Sequence, residues 1–209
     1  MRVISLDDIA AVIVTRGDVD LGPIVATLPY TELVIWNDLE RGYSRGCYGR
    51  YLAALETDKP VIYYQDDDLV FTAHKELLAM YEPGLMTVNM PSPWYERAGY
   101  DKLNQALVGA GSLVPRDLPF PALDRYLDEY PEDDLFYRYC DVAVGMLTPY
   151  KRIDLGYEVL AYASAPGRIY TGSGAAERKA EMQRRVMALR EAGWYEERRP
   201  MIVERCLQC

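Results

Sequence analysis

The stretch KPVIYYQDDDLVF, residues 59–71, decides how the rest of the chain is interpreted. VIYYQ is an apolar run typical of a buried strand, and it leads directly into Asp66, Asp67 and Asp68. Two carboxylates about 4 Å apart repel each other by roughly 4 kcal/mol at an effective dielectric constant near 20. Three in a row after a buried strand therefore indicate a divalent cation held by oxygen atoms, or a nucleotide bound through one. The alternative is a helix N-terminus, for which one aspartate would suffice.

Two apolar runs upstream predict two more buried strands, AAVIVT (10–15) and TELVIW (31–36). The segments that follow them, IVATL (24–28) and CYGRYLAALET (47–57), are candidate helices. The resulting alternation of strand, helix, strand, helix and strand predicts an α/β fold built on a parallel sheet with right-handed crossovers.

Polar residues follow each of the three predicted strands. Ligands of open α/β sheets bind beyond the carboxyl ends of the strands, so we expect these residues to lie close together. They are Thr15, Arg16, Gly17 and Asp18 after the first strand, Asn37 and Asp38 after the second, and Asp66, Asp67 and Asp68 after the third. The cluster is a candidate site for a metal ion or a nucleotide.

The second half of the chain is less regular. Predicted strands are LMTVNM (85–90), LVGAGSLVP (107–115) and CDVAVGML (140–147), and predicted helices are FPALDRYLDEY (120–130) and GAAERKAEMQRRVMALREAG (174–193). Met182, Val186 and Leu189 form the predicted inner face of the last helix. We expect one α/β domain with a mixed, mainly parallel sheet over residues 1–173, and a helical extension over residues 174–209 packed on it.

Composition excludes several classes of protein and of chemistry. With 209 residues, 50% of them hydrophobic and 26% charged, the chain can bury a core and is neither disordered nor fibrous. The absence of a long apolar run predicts a cytoplasmic protein without a transmembrane segment. A net charge of −9 argues against bulk coating of nucleic acid. A single histidine excludes zinc sites built on several histidines, and we expect the four cysteines to be free thiols.

These segments resemble the GT-A fold of glycosyltransferases. VIYYQDDDLVF is similar to the acidic Asp-x-Asp (DXD) motif at the end of a central strand in that fold. ELVIWND (32–38) is similar to a segment that helps to hold the nucleotide in exostosin-like enzymes, and other features resemble family-2-like enzymes. The similarity extends from about residue 10 to residue 145. The compact chain, and the helix after GRIYTGSG (167–174), resemble small glycosyltransferases of bacteria and their viruses.

The resemblance implies a nucleotide-sugar donor, with a UDP-sugar as the first candidate, and Mn²⁺ or Mg²⁺ as the metal ion. The residues that it assigns to the donor are Thr15, Arg16, Asp18, Asn37 and Asp38 at the nucleoside, and Arg45 and Arg50 toward the nucleotide or diphosphate. Within the acidic motif, Asp68 would ligate the metal, and Asp66 would contact the ribose or sugar and act as a second ligand. Asp67 would either ligate the metal or contact the ribose or sugar.

A second acidic cluster, Glu132-Asp133-Asp134, resembles the motif that opens a helix beneath the acceptor site. The resemblance implies that Asp133, or else Asp134, is the catalytic carboxylate. It would act as the base in an inverting transfer or stabilise the cationic sugar in a retaining one. A plain helix start explains the cluster equally well. Candidates for cations that meet the departing diphosphate are Lys151, Arg152 and Arg168.

The predicted function is metal-assisted transfer of a sugar from a nucleotide-sugar donor to a hydroxyl group. The acceptor would be a glycan, a virion protein or a modified DNA base. Two alternatives stay open at this point. A nucleotidyltransferase would need a glycine-rich phosphate loop with a lysine after the first strand, and TRGDVDLGP (15–23) has no lysine. A non-catalytic binding module of the same fold would not depend on Asp133 for turnover.

Overall fold

The centre of the structure is a mixed, mostly parallel β-sheet flanked by helices. The computed structural model describes residues 4–97, 99–164, 172–194 and 202–203. Its strands are β1 (Ile9–Thr15), β2 (Glu32–Asn37), β3 (Val61–Asp66), β4 (Leu69–Val70), β5 (Met86–Asn89), β6 (Ala110–Pro115), β7 (Tyr150–Ile153), β8 (Glu158–Val159) and β9 (Ile202–Val203). Its α-helices are α1 (Gly22–Val25), α2 (Asp38–Arg41), α3 (Gly49–Ala54), α4 (His74–Ala79), α5 (Ser92–Arg97), α6 (Tyr100–Leu103), α7 (Phe120–Glu129), α8 (Asp134–Leu147) and α9 (Ala175–Leu189).

The strand order of the main sheet is β2-β1-β3-β6-β5-β7-β9. Neighbouring strands run parallel except at β6, which is antiparallel to both β3 and β5. This α/β architecture is consistent with a Rossmann-like fold. The prediction of a mixed, mainly parallel sheet with flanking helices and a C-terminal helix is confirmed. A second, two-stranded ladder pairs β4 with β8 in antiparallel orientation.

Strands β1 and β3 lie inside the sheet, whereas β2 lies at its edge. Residues 9–13 and 61–64 are buried, because helices and loops cover both faces of these central strands. In β2 the side chains of Leu33 and Ile35 are 36% and 38% exposed. The sequence prediction for β2 is therefore right about the strand and wrong about its burial, since its apolar composition does not reveal its edge position.

Residues 140–147, predicted as a strand, are the second half of helix α8. From Val142 to Leu147 every residue of the segment is buried, so its apolar residues occupy all sides of the helix. A continuous apolar run of this kind does not distinguish a buried strand from a buried helix. Gly145 allows close packing, because a Cβ there would lie 2.3 Å from the carbonyl oxygen of Ala106.

The other predicted elements are present, with bounds that differ by a few residues. The helix predicted at 47–57 is divided into a 3-10 turn, Gly46–Tyr48, and α3. The predicted inner face of α9 is confirmed, because Met182, Val186 and Leu189 are buried in the main core cluster. Within the described part of the chain, none of the helices combines the length and apolarity needed to cross a bilayer.

Candidate functional site

A pocket of about 110 Å³ opens beyond the carboxyl ends of β1 and β3. In Rossmann-like sheets, ligands bind beyond the carboxyl ends of the strands. The polar residues predicted for donor or metal binding that line the pocket are Thr15, Arg16, Asp38, Arg50, Asp66, Asp67 and Asp68. The structure thus brings together polar residues that follow three separate strands. Ala163 completes one wall of the pocket.

Asp66, the last residue of β3, is held by two neighbours. Its Oδ1 accepts a hydrogen bond from Nη2 of Arg50 at 2.5 Å. The backbone of Gly109 passes so close that a Cβ there would lie 2.1 Å from the same oxygen, so glycine is required by the approach. The Asp66 side chain remains 32% exposed and lines the pocket.

Arg50 of α3 is a buried cation that contacts two carboxylates. It is 2% exposed, and besides Asp66 it contacts Asp141 of α8, with Nη1 3.3 Å from Asp141 Oδ2. Burial lowers the pKa of Arg50, but the charges of Asp141 and Asp66 outweigh burial and raise that pKa. The guanidinium is therefore permanently charged and is tied to acidic groups on both sides.

Asp141 lies deeper than Asp66, with its side chain 14% exposed. Its Oδ1 accepts a hydrogen bond from the Tyr51 hydroxyl at 2.6 Å. Burial raises the pKa of Asp141, while Arg50 and the Tyr51 hydroxyl oppose that rise. Cys47, which also lines the pocket, is held as a neutral thiol because burial raises its pKa.

A buried glutamine stabilises the turn that contains Asp67 and Asp68. Gln65 is 1% exposed, and its Nε2 donates a hydrogen bond to the carbonyl oxygen of Leu69 at 2.9 Å, across the turn. Asp67 is buried and Asp68 is half-buried, and both line the pocket. The amide of Leu160 donates to the Asp68 carbonyl oxygen at 2.8 Å, so the segment after β8 is attached to this turn.

Asp38 organises the loop beside the pocket. Its Oδ1 accepts hydrogen bonds from Trp36 Nε1 at 3.0 Å and from the Arg45 amide at 3.2 Å. Its Oδ2 accepts from Ser44 Oγ at 2.7 Å. With the residue only 8% exposed, this carboxylate is engaged mainly in holding residues 42–45 in place.

A second hollow, of about 390 Å³, adjoins the pocket and shares Arg16 and Asp38 with it. Leu39 and Tyr43 form part of its wall, and their side chains are 69% and 49% exposed. The hollow therefore offers an aromatic ring and aliphatic surface next to a cationic side chain. Such a surface suits a flat group that is partly apolar.

The remaining residues predicted at the ends of β1 and β2 make local contacts. Thr15 Oγ1 accepts a hydrogen bond from the Gly17 amide at 3.0 Å, and Arg16 forms an ion pair with Asp18. Asn37 caps α2, because its Oδ1 accepts from two backbone amides at 3.1 and 3.3 Å. Asp18 and Asn37 are not among the residues that line the pocket.

The predicted catalytic carboxylates lie at the start of α8, outside the lining of the pocket. Asp133 caps the helix, accepting a hydrogen bond at 2.9 Å from the amide of Phe136, and its other oxygen lies 3.9 Å from Nη1 of Arg185. Asp134 is exposed and pairs with Arg138 at 2.8 Å. Asp141 lies eight residues after Asp133 along the same helix, which is about 12 Å of helical rise.

The predicted cations Arg45, Lys151 and Arg152 are not among the residues that line the pocket. The guanidinium of Arg45 lies 4.3 Å above the ring of Tyr137 on α8. Lys151 is buried in β7, with Nζ 3.8 Å from Glu82 Oε2, and it pairs with the start of β5 rather than with the strand ends at the pocket. Arg168 lies outside the described residues.

The acidic turn fits a metal ion only with ligands from outside the protein. Among the residues that the structure describes, no group of three or more His, Cys, Asp or Glu side chains converges on one point. Asp66 Oδ1 is engaged by Arg50, so the candidate protein ligands are the second oxygen of Asp66 and the carboxylate of Asp68, both of which belong to residues that line the pocket. Mg²⁺ is commonly held by one or two carboxylates, with phosphate and water as its other ligands. The Mn²⁺ or Mg²⁺ site stays a prediction.

His74 is buried among aromatic rings and does not line the pocket. The rings of Tyr63 and Phe71 lie 5.0 and 5.1 Å from it, and the Tyr30 hydroxyl is 3.2 Å from His74 Nδ1. Burial lowers the pKa of His74 to about 4. The imidazole is therefore neutral in the folded protein at physiological pH.

Asp141, Tyr51, Cys47 and Gln65 belong to the site and are absent from the sequence predictions. One sequence signal points to the first of them, because Asp141 is the lone charge in the apolar run CDVAVGML. A carboxylate in such a run requires a buried partner, and here Arg50 and Tyr51 supply it. The others depend on contacts between distant parts of the chain.

Comparison with known proteins adds no assignment. No protein-family model matches this sequence, and a search of curated proteins found no match. The functional interpretation therefore depends on the pocket, on the residues that line it and on the chemistry that those residues permit.

Proposed function

We propose that this protein is a GT-A-type glycosyltransferase that binds a nucleotide-sugar donor in the pocket beyond β1 and β3. The observation that carries the proposal is the convergence of Asp66, Asp67 and Asp68 with Arg16 and Arg50 at that position. Nucleotides bind to Rossmann-like sheets beyond the carboxyl ends of the strands. The order of the segments and the position of the acidic turn also agree with the resemblance to this family.

The acidic turn would bind the diphosphate of the donor through Mn²⁺ or Mg²⁺, with Asp68 and the second oxygen of Asp66 as protein ligands. A divalent cation there offsets the mutual repulsion of the carboxylates and stabilises the negative charge that develops on the departing diphosphate. Arg16, at the end of β1, lines both the pocket and the adjoining hollow and would contact the same donor.

The adjoining hollow would hold the nucleobase. Its exposed Tyr43 ring and Leu39 side chain offer apolar contact to a planar base, next to the guanidinium of Arg16. The loop that carries Tyr43 is fixed by the hydrogen bonds of Asp38. A donor that spans the pocket and the hollow would therefore meet a wall that is already ordered.

In the transfer, the bond between the anomeric carbon and the diphosphate oxygen breaks, and a bond to the acceptor oxygen forms. The proton of the acceptor hydroxyl passes to a carboxylate, for which Asp133 and Asp134 stay the predicted candidates. Asp133 caps α8 and Asp134 pairs with Arg138, so both lie at the N-terminal end of that helix. Either one would act on an acceptor that reaches this end.

The proposal is tested with a panel of nucleotide sugars and Mn²⁺, measuring thermal unfolding and donor hydrolysis. A cognate donor at about 100 times its Kd adds about 2.7 kcal/mol to stability, which raises Tm by about 5–10 °C for a chain of this size. We expect Asp68→Ala to abolish this rise and donor hydrolysis. The Asp66–Arg50 pair would stay intact in this variant.

Asp128→Ala is the matched control, because Asp128 is an exposed aspartate on α7 that does not line the pocket. It should retain the full donor-dependent rise in Tm. If no nucleotide sugar stabilises the wild-type protein, the proposal is wrong. Stabilisation without hydrolysis or transfer would favour a binding module, and a response to nucleoside triphosphates alone would favour a nucleotidyltransferase.

A further inference from the structure

A chain of buried contacts connects the pocket to helix α8. Arg50 contacts Asp66 at 2.5 Å on the pocket side and Asp141 at 3.3 Å on the helix side. The next residue of α3, Tyr51, donates its hydroxyl hydrogen to Asp141 at 2.6 Å. Two successive residues of α3 therefore fix one carboxylate of α8.

Because Arg50 is buried, its guanidinium couples the carboxylates of Asp66 and Asp141 energetically. Within the described part of the chain, Asp66 and Asp141 are the carboxylates within 4.0 Å of Arg50. A buried guanidinium is strongly destabilising without a carboxylate partner, so it must stay in contact with these two groups. Removal of the Asp141 charge would leave Asp66 as its sole anionic partner, and the guanidinium would move toward the pocket.

Asp66 has little freedom to accommodate such a movement. The backbone of Gly109 lies so close to the oxygen that accepts from Arg50 that a Cβ there would collide with it, and the Asp66 amide donates to the Gly109 carbonyl oxygen at 2.7 Å. A shift of the guanidinium would therefore rotate the Asp66 carboxylate or displace it from Gly109. Ligand sites require their side chains to be held within about 0.5 Å of the productive geometry.

We propose that Asp141 is a positioning residue for the pocket: without lining it, Asp141 fixes the carboxylate of Asp66 through Arg50. The functional part of this inference rests on the proposed donor site. In this arrangement Arg50 anchors Asp66 and is not a cation reserved for the diphosphate. Asp141 acts on ligand affinity in the way that outer partners of metal ligands do.

Asp141→Asn tests the proposal, because it removes the charge and retains an oxygen that can accept from Tyr51. UDP with Mn²⁺ is the probe, and calorimetric titration gives its Kd. We expect the Kd to rise about tenfold, the lower limit for the loss of an outer partner of a metal ligand. Asp128→Asn, the same change on the exposed face of α7, should leave the Kd unchanged. Equal Kd values for wild type and Asp141→Asn would overturn the proposal.

A double-mutant cycle tests the positioning without any ligand. Urea unfolding of Asp141→Asn, Asp66→Asn and the double variant should give non-additive changes in stability, because both side chains act on Arg50. The pair Asp128→Asn and Asp66→Asn should be additive. Additivity in the first cycle would overturn the proposal whether or not UDP binds.

The two measurements separate this inference from the proposed function. If wild type binds neither UDP nor a nucleotide sugar, the proposed function fails, and the cycle alone decides whether Asp141 positions Asp66. If Asp141→Asn does not fold, Tyr51→Phe removes only the hydroxyl that holds Asp141. That variant should show a smaller loss of UDP affinity in the same direction, and an unchanged affinity would contradict the proposal.

Discussion

At the scale of single residues, the burial of His74 makes stability depend on pH. In the unfolded chain the imidazole takes up a proton near pH 6.5, whereas in the folded protein burial lowers its pKa to about 4. The unfolded state therefore binds more protons between these values, and stability falls as the pH falls. We expect the free energy of unfolding to decrease by about 1 kcal/mol between pH 7.5 and 5.5 from this residue alone.

Urea unfolding at pH 7.5, 6.5 and 5.5 measures this dependence. His74→Gln is the control, because it removes the titrating group, so the difference in pH dependence between the two proteins isolates the imidazole. His74 is the only histidine in the sequence, so its NMR signals are free of overlap with other imidazoles. An imidazole that titrates near pH 6.5 in the folded protein would contradict the expectation.

Residues of the pocket were predictable where the chemistry is local in sequence. Asp66, Asp67 and Asp68 follow an apolar strand, and that contrast alone marks them as exceptional. Asp141 was not predicted, because its partners come from α3, far away along the chain. Gly109 is required by the approach of one particular oxygen, which sequence spacing does not encode.

At the scale of elements, the first turn of α8 gives a prediction that separates two roles of Asp133. Its side chain accepts the Phe136 amide at 2.9 Å, so Asp133→Ala should lower the free energy of unfolding by about 1 kcal/mol. Asp133→Ser retains a capping oxygen and should recover most of that loss. Chemical denaturation of the two variants measures both effects.

Turnover of the same variants then tests the predicted catalytic role. If Asp133 is the base, Asp133→Ser will be stable and inactive in sugar transfer. Full activity in the serine variant would restrict Asp133 to capping the helix. Equal stability of the wild type and Asp133→Ala would instead show that the cap contributes little.

Helices α8 and α9 show why some elements were predicted correctly and others were not. The amphipathic pattern of α9 places Met182, Val186 and Leu189 on one face, and a periodic pattern of that kind identifies a helix. The end of α8 is buried on all sides and has no such period. The strand prediction for 140–147 failed because burial on all sides removes the contrast that distinguishes a period of 3.6 from a period of 2.

At the scale of the whole molecule, the position of each strand in the sheet predicts its rate of amide exchange. β1 has partners on both sides, whereas in the described structure β2 pairs with β1 alone. Outward-facing amides of β2 should therefore exchange at least about 100-fold faster than those of β1 and β3. Hydrogen exchange followed by NMR checks this. Equal protection of β2 would contradict the expectation and indicate a partner along that edge.

The order of the whole sheet was only partly open to prediction. Three strands separated by helices predict parallel neighbours, and β1, β2 and β3 are parallel. The apolar pattern of a strand is the same in either direction, so it gave no sign that β6 is antiparallel. That orientation depends on how the connection at 90–109 returns to the sheet.

The reversed direction of β6 has a consequence for anyone who wishes to reshape the cavity. Because β6 begins at the end of the sheet where its neighbours finish, the connection before it brings Gly109 against Asp66. Reshaping the cavity from this side would disturb the core, because Tyr100, Ala106 and Val108 are buried there and Ala106 packs against Gly145 of α8.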